Sequence, residues 1–125
     1  LGCAVAVANL KLFAKDDIVE KMQPRVAMLQ QRLRDEFLPL AHVSDIRQWG
    51  YMIGIELVQD KASRKSYPSE MRVGHQIILE ARKRSVMIRP LGDVIILMPP
   101  LSISDGELTT LLDVVHDCIV TVTGN

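Results

Sequence analysis

The stretch Met87-Ile-Arg-Pro-Leu-Gly-Asp-Val-Ile-Ile-Leu-Met-Pro-Pro100 decides the fold, because two short β-prone runs flank a turn containing Pro and Gly and a Pro-Pro step closes the second run. It reads as two strands, 86–89 and 94–98, joined by Pro90-Leu-Gly-Asp93. A single cation lies inside it. Arg89 has Val86, Met87 and Ile88 on one side and Pro90 and Leu91 on the other, a setting poorly placed for water and well placed to hold a carboxylate through two parallel hydrogen bonds. An ion pair with Asp93 across the turn, or with a helix carboxylate, is the plainer reading of the same residue.

Upstream, residues 43–58 show a second β-prone pair around Gly50, with Ile53, Ile55 and Leu57 on one face and Met52, Gly54 and Glu56 on the other. Between the two pairs, residues 59–69 are polar and read as a surface loop ending in an N-cap at Ser69. A helix from Glu70 to about Arg84 follows, with Gly74, Ile77, Ile78 and Ala81 inward. Beyond the Pro-Pro step, Ser104-Asp-Gly-Glu107 is a capping box, and Leu108, Leu111, Leu112, Val115, Ile119 and Val122 form one helical stripe behind it.

The N-terminal part is helical in pattern. Residues 2–14 carry small or apolar side chains on nearly every face, so this helix requires burial that one small domain can hardly supply. Asp16 and Asp17 suit a helix start, and Ile18, Met22, Val26, Leu29 and Leu33 follow at helical spacing. Pro24 interrupts that stripe at a cost of about 3 kcal/mol, which predicts a bend near Met22 or a helix beginning at Pro24. The order is helix, helix, two strands, helix, two strands, helix. This is α+β, a small mostly antiparallel sheet of about four strands covered by helices.

A chain of 125 residues with 48% hydrophobic content supports one core and one domain, 1–125. Fifteen basic residues balance fifteen acidic ones, and no basic cluster is interleaved with aromatics, so neither nucleic acid nor a membrane surface is an expected partner. No apolar run reaches the roughly 18 to 20 residues of a membrane span. The apolar start, Leu1-Gly-Cys-Ala-Val-Ala, has no basic region before it and no initiating Met, which argues against a signal peptide and reads as the cut end of something longer. Cys3 and Cys118 are too far apart for a metal spacing and read as inert packed thiols in a reducing cytoplasm, while His42, His75 and His116 read as ordinary helix or loop residues. Asp16/Asp17 and Asp35/Glu36 read as helix-end charges. No nucleophile elbow, phosphate loop or metal set is present in the sequence, so no catalytic, cofactor-binding or metal-ligating residue is assigned within it.

The segment from Met87 through Pro100-Leu-Ser102, together with Leu1-Gly-Cys-Ala-Val-Ala and Asp45-Ile-Arg-Gln-Trp-Gly-Tyr-Met-Ile-Gly-Ile-Glu56, resembles the C-terminal part of the adenosylmethionine-8-amino-7-oxononanoate aminotransferases. These are the diaminopelargonate synthases of biotin biosynthesis, within the class III pyridoxal-phosphate aminotransferases. The resemblance implies a fold-type-I enzyme whose small C-terminal domain is this chain, with the 1–14 helix packing on a large domain outside it. It implies that Arg89 binds the carboxylate of the keto acid substrate and that Ile96, at a position where ornithine- and 4-aminobutyrate-type relatives commonly carry Arg, suits a long aliphatic substrate.

It further implies S-adenosylmethionine as amino donor, pyridoxal phosphate held mainly by the large domain, and a cytoplasmic homodimer. The Schiff-base lysine would lie outside this chain, since none of Lys11, Lys15, Lys21, Lys61, Lys65 or Lys83 matches its motif, and the chain alone is then expected to bind no cofactor and to be inactive. Two alternatives stay open: another class III aminotransferase acting on ornithine, 4-aminobutyrate or a different ω-amino acid, and a truncated, non-catalytic module that self-associates through its first helix.

Overall fold

The computed structural model describes residues 1–124; the domain span read from the sequence ends at Asn125, outside them. Helix α1 spans Gly2–Asp16 and α2 spans Ile18–Arg32, with Asp17 between them in the left-handed region at φ 48°, a conformation aspartate tolerates better than most residues. Pro24 lies well inside α2, so the helix does not begin there. Both Pro24 and Glu20, whose carbonyl loses its helical donor to the proline, are at exposed positions, open to solvent that can satisfy that carbonyl. Past Arg32 the chain widens into a π-helical turn, Leu33–Phe37, which drives both Leu33 and Phe37 into the core.

Strands β1 (Val43–Trp49) and β2 (Met52–Leu57) form the expected hairpin around Gly50, and β2 has the expected alternation, with Ile53, Ile55 and Leu57 buried. The third helix differs from its sequence reading. Ser69 opens a single 3-10 turn, Ser69–Met71, and α3 proper is Val73–Lys83, entered through Arg72 at φ 47° with no side-chain cap. The inward set Gly74, Ile77, Ile78 and Ala81 is buried as its spacing requires.

The second hairpin is also shifted. Strand β3 is Arg89–Leu91 and β4 is Val94–Leu97, so residues 86–88 are not strand, and Pro90 and Leu91 belong to β3 instead of the turn. The turn is the pair Gly92-Asp93, with Gly92 at φ +61°, matching the tight hairpin connections that need a left-handed first residue. Proline is accommodated because β3 is an edge strand: the sheet order is β1-β2-β4-β3, every pairing antiparallel.

Helix α4 runs Asp105–Thr123 behind the expected capping box, in which the Ser104 hydroxyl accepts from the Glu107 N–H while the Glu107 carboxylate accepts from the Ser104 N–H at 2.9 Å. Leu108, Leu112, Val115, Cys118 and Ile119 are buried; Leu111 and Val122 pack on the margin. One face of the sheet meets α3, α4 and the end of α2 in a core that includes Phe37, Ile55, Ile77, Ile95, Leu97 and Leu112. At about 25 cal/mol per Å2 of apolar surface withdrawn from water, that contact dominates stability.

Among the described residues nothing forms a covering layer on the opposite face of the sheet, and α1 buries none of its own residues. Val5 is 61% and Leu10 68% exposed. Cys118 is the packed thiol expected of it, and burial pushes its pKa up; Cys3, on the uncovered α1, is exposed and contradicts the same expectation. Among the described residues no helix is long and apolar enough to cross a membrane.

Candidate functional site

Register across the sheet assembles the site. Arg47 on β1 pairs with Gly54 on β2, Gly54 with Ile96 on β4, and Ile96 with Arg89 on β3. Directly paired residues share a face, so Arg47, Gly54, Ile96 and Arg89 form one row across the uncovered side. The next row is Asp45, Glu56, Val94 and Leu91. Trp49 and Met52 extend the same face, and Trp49 is 87% exposed.

The two arginines of the row differ in state. Arg47 is neutralised, with Nη2 3.1 Å from Glu56 Oε2 and Nε 3.7 Å from Asp45 Oδ2. Arg89 is exposed, and among the described residues no hydrogen bond or ion pair engages its guanidinium. Asp93, the nearest acid in sequence, is occupied elsewhere: its Oδ1 accepts from the Gly74 N–H at 3.1 Å. The pairing that residue types alone favoured is therefore absent, and so is the burial suggested by the apolar neighbours of Arg89.

Arg89 opens onto a groove of about 670 Å3 whose walls include Arg82, Met87, Ile96, Met98 and Leu111. A cation at the rim of an apolar groove with no internal anion can receive a ligand that combines a carboxylate with a hydrocarbon body. No lysine, aspartate or glutamate lines this groove. Arg82, on the last turn of α3, is a second cation there that its sequence context did not single out, because it reads as a solvent-facing helix residue.

Several other titratable groups serve the fold. Arg32 joins α2 to α4, with Nη2 2.5 Å from Glu36 Oε2 and 2.6 Å from Asp113 Oδ1. The Glu36 hydrogen bond, ahead of Asp113, raises the Arg32 pKa, and in return holds the Glu36 carboxyl below its ordinary range. Glu36 thus acts through this pair, and lies in the π turn instead of at a helix end that would favour an acid. Arg25 pairs with Asp105 in the first turn of α4. His42 Nδ1 lies 2.9 Å from the Tyr67 hydroxyl and 3.0 Å from the Val58 carbonyl, and His116 packs edge-on against Phe37. Among the described residues no group of His, Cys, Asp or Glu is placed to hold a metal.

The site thus combines an antiparallel sheet with helices on one side, an open side bearing an unpaired arginine, and a first helix that buries none of its own residues. Comparison with known proteins places this fold in a family. The family described as aminotransferase class-III matches residues 1–119, and the chain belongs to that family. It is 48% identical over 123 residues to an adenosylmethionine-8-amino-7-oxononanoate aminotransferase from Nitratidesulfovibrio vulgaris, covering 98% of this chain and 22% of that protein. It is 44% identical over 113 residues to a protein of the same name from Aquifex aeolicus, covering 90% and 25%. Among solved structures, the enzyme of that name from Methanocaldococcus jannaschii superposes with a TM-score of 0.89 at 37% identity, over 95% of this chain and 27% of the other. The chain thus spans about a quarter of the length of the curated relatives it matches.

Proposed function

We propose that this chain is the C-terminal small domain of an aminotransferase that moves an amino group from S-adenosylmethionine to 8-amino-7-oxononanoate, and that Arg89 grips the carboxylate of that keto acid. The observation that carries the reading is the free guanidinium of Arg89 beside Ile96 at the mouth of an apolar groove. A bidentate arginine–carboxylate pair fixes direction as well as distance, so Arg89 orients the acceptor while Ile96 contacts its aliphatic body. The names of the relatives support the choice of substrates.

Class III aminotransferases work with pyridoxal phosphate, and this chain's own residues do not fit that group unaided. The groove beside Arg89 has no lysine to bond it covalently and no carboxylate to face its pyridine nitrogen. Lys61 is spent on the Leu38 and Leu40 carbonyls, and Lys83 on Glu80. In this reading the large domain supplies the cofactor site, α1 packs against that domain, and the full-length protein works as a cytoplasmic homodimer.

The test is Arg89→Ala in the full-length protein. The Michaelis constant for the keto acid should rise far more than that for the amino donor; equal changes in both contradict the assignment. Separately, this chain mixed with pyridoxal phosphate and borohydride should acquire no stoichiometric, lysine-specific adduct.

A further inference from the structure

We infer that Gly74 and Asp93 are positioning residues for Arg89: the first turn of α3 seats the β3–β4 turn and thereby fixes the strand that presents the guanidinium. This rests on Arg89 being the carboxylate anchor proposed above.

The need for such a seat is visible in β3 itself. The strand is three residues long, lies at the edge of the sheet, pairs only with β4, and has a proline at its centre that donates no hydrogen bond. By itself so short a ladder would fray and let Arg89 wander. Two further contacts hold the turn. The Leu57 N–H on β2 donates to the Asp93 carbonyl at 3.0 Å, and the Gly74 N–H on α3 donates to Asp93 Oδ1 at 3.1 Å.

The second contact serves both partners. Helix α3 enters through Arg72 with no side-chain cap of its own, so its first amides lack acceptors. The Asp93 carboxylate, brought in from another element, accepts from one of them where a helix N-terminus favours negative charge. Gly74 makes the approach possible. A Cβ there would fall 2.2 Å from the Gly92 carbonyl oxygen and 3.1 Å from Pro90 Cβ, so any side chain would push the hairpin off the helix. Pro90 is the immediate neighbour of Arg89, and the displacement would reach the guanidinium directly. Asp93 is engaged by α3, and among the described residues no anion engages Arg89.

The experiment compares Asp93→Ala, Asp93→Asn and Gly74→Ala with Arg89→Ala in the full-length aminotransferase. Asp93→Ala should raise the Michaelis constant for the keto acid about tenfold, with kcat and the donor constant moved about twofold at most. Asp93→Asn, whose amide oxygen can still accept from Gly74, should recover most of the loss. Gly74→Ala should reproduce the Asp93→Ala pattern or fail to fold; Asp93→Ala, which introduces no clash, then decides the matter. If Arg89→Ala raises the keto acid constant and Asp93→Ala does not, or if Asp93→Ala affects donor and acceptor alike, the positioning role is overturned while the anchor stands. If Arg89→Ala itself leaves the keto acid constant unchanged, the anchor falls and the positioning role with it.

Discussion

Arg89 stands directly across the antiparallel ladder from Ile96, one residue on β3 and one on β4 with their side chains on the same uncovered face. Directly opposed side chains lie close enough to pair, so a carboxylate at position 96 would lie within reach of Arg89. Ile96→Asp would supply an internal carboxylate and should raise the keto acid Michaelis constant of the full-length protein about as much as removing Arg89 does. Val94→Asp, on the same face but opposite Leu91, should do so far less. Equal effects of the two substitutions would show that charge near the groove matters and pairing with Arg89 does not.

Helix α1 offers a test of the domain assignment. With none of its residues buried, Leu10→Glu should change the unfolding free energy of this chain by no more than about 0.5 kcal/mol. In the full-length protein the same change should lower the melting temperature, if α1 packs on the large domain. Sedimentation of the isolated chain adds a discriminator: self-association abolished by Leu10→Glu would favour a module that pairs through α1.

Acid stability follows from Glu36. Its folded pKa is held low by Arg32, so it contributes stability above its unfolded value of about 4.3, and loses it as pH falls through the lower folded value. Urea midpoints measured from neutral pH down through that window should fall, and Glu36→Gln should flatten the decline while lowering the neutral midpoint. An unchanged acid slope in Glu36→Gln would assign the loss to other carboxylates, such as Glu107, which the Ser104 hydrogen bonds also hold low.

Phe37 gives the largest expected loss from a single truncation. It is fully buried, projects from the π turn into the centre of the core, and meets His116 edge-on. Phe37→Ala should cost about 3 to 5 kcal/mol in denaturant unfolding. By comparison, Ser104→Ala removes a cap from the exposed start of α4 and should cost about 1 kcal/mol. A cap loss as large as the core loss would mean that α4 docking depends on its first turn.

What the sequence determined by itself is whatever depends on near neighbours along the chain. The stripe of α4 and its capping box, the alternation of β2 about the Gly50 turn, and the inward set of α3 all arise within a few residues, where helix and strand periods impose themselves directly. The motifs around Arg89 and Arg47 carried the family as well. Tertiary structure decided the rest. Pro90 joins a strand because β3 falls at the edge of the sheet, which no local window reveals. Cys3 and Cys118 meet opposite fates because one helix is covered and the other is not. Above all, Asp93, four residues along the chain from Arg89, accepts instead from an amide nineteen residues from it, and Arg89 stands unpaired among the described residues. Local charge spacing proposed a partner for Arg89. The packing of α3 on the hairpin, possible only because Gly74 has no side chain, gave Asp93 a different partner, and the strand register left the cation facing outward.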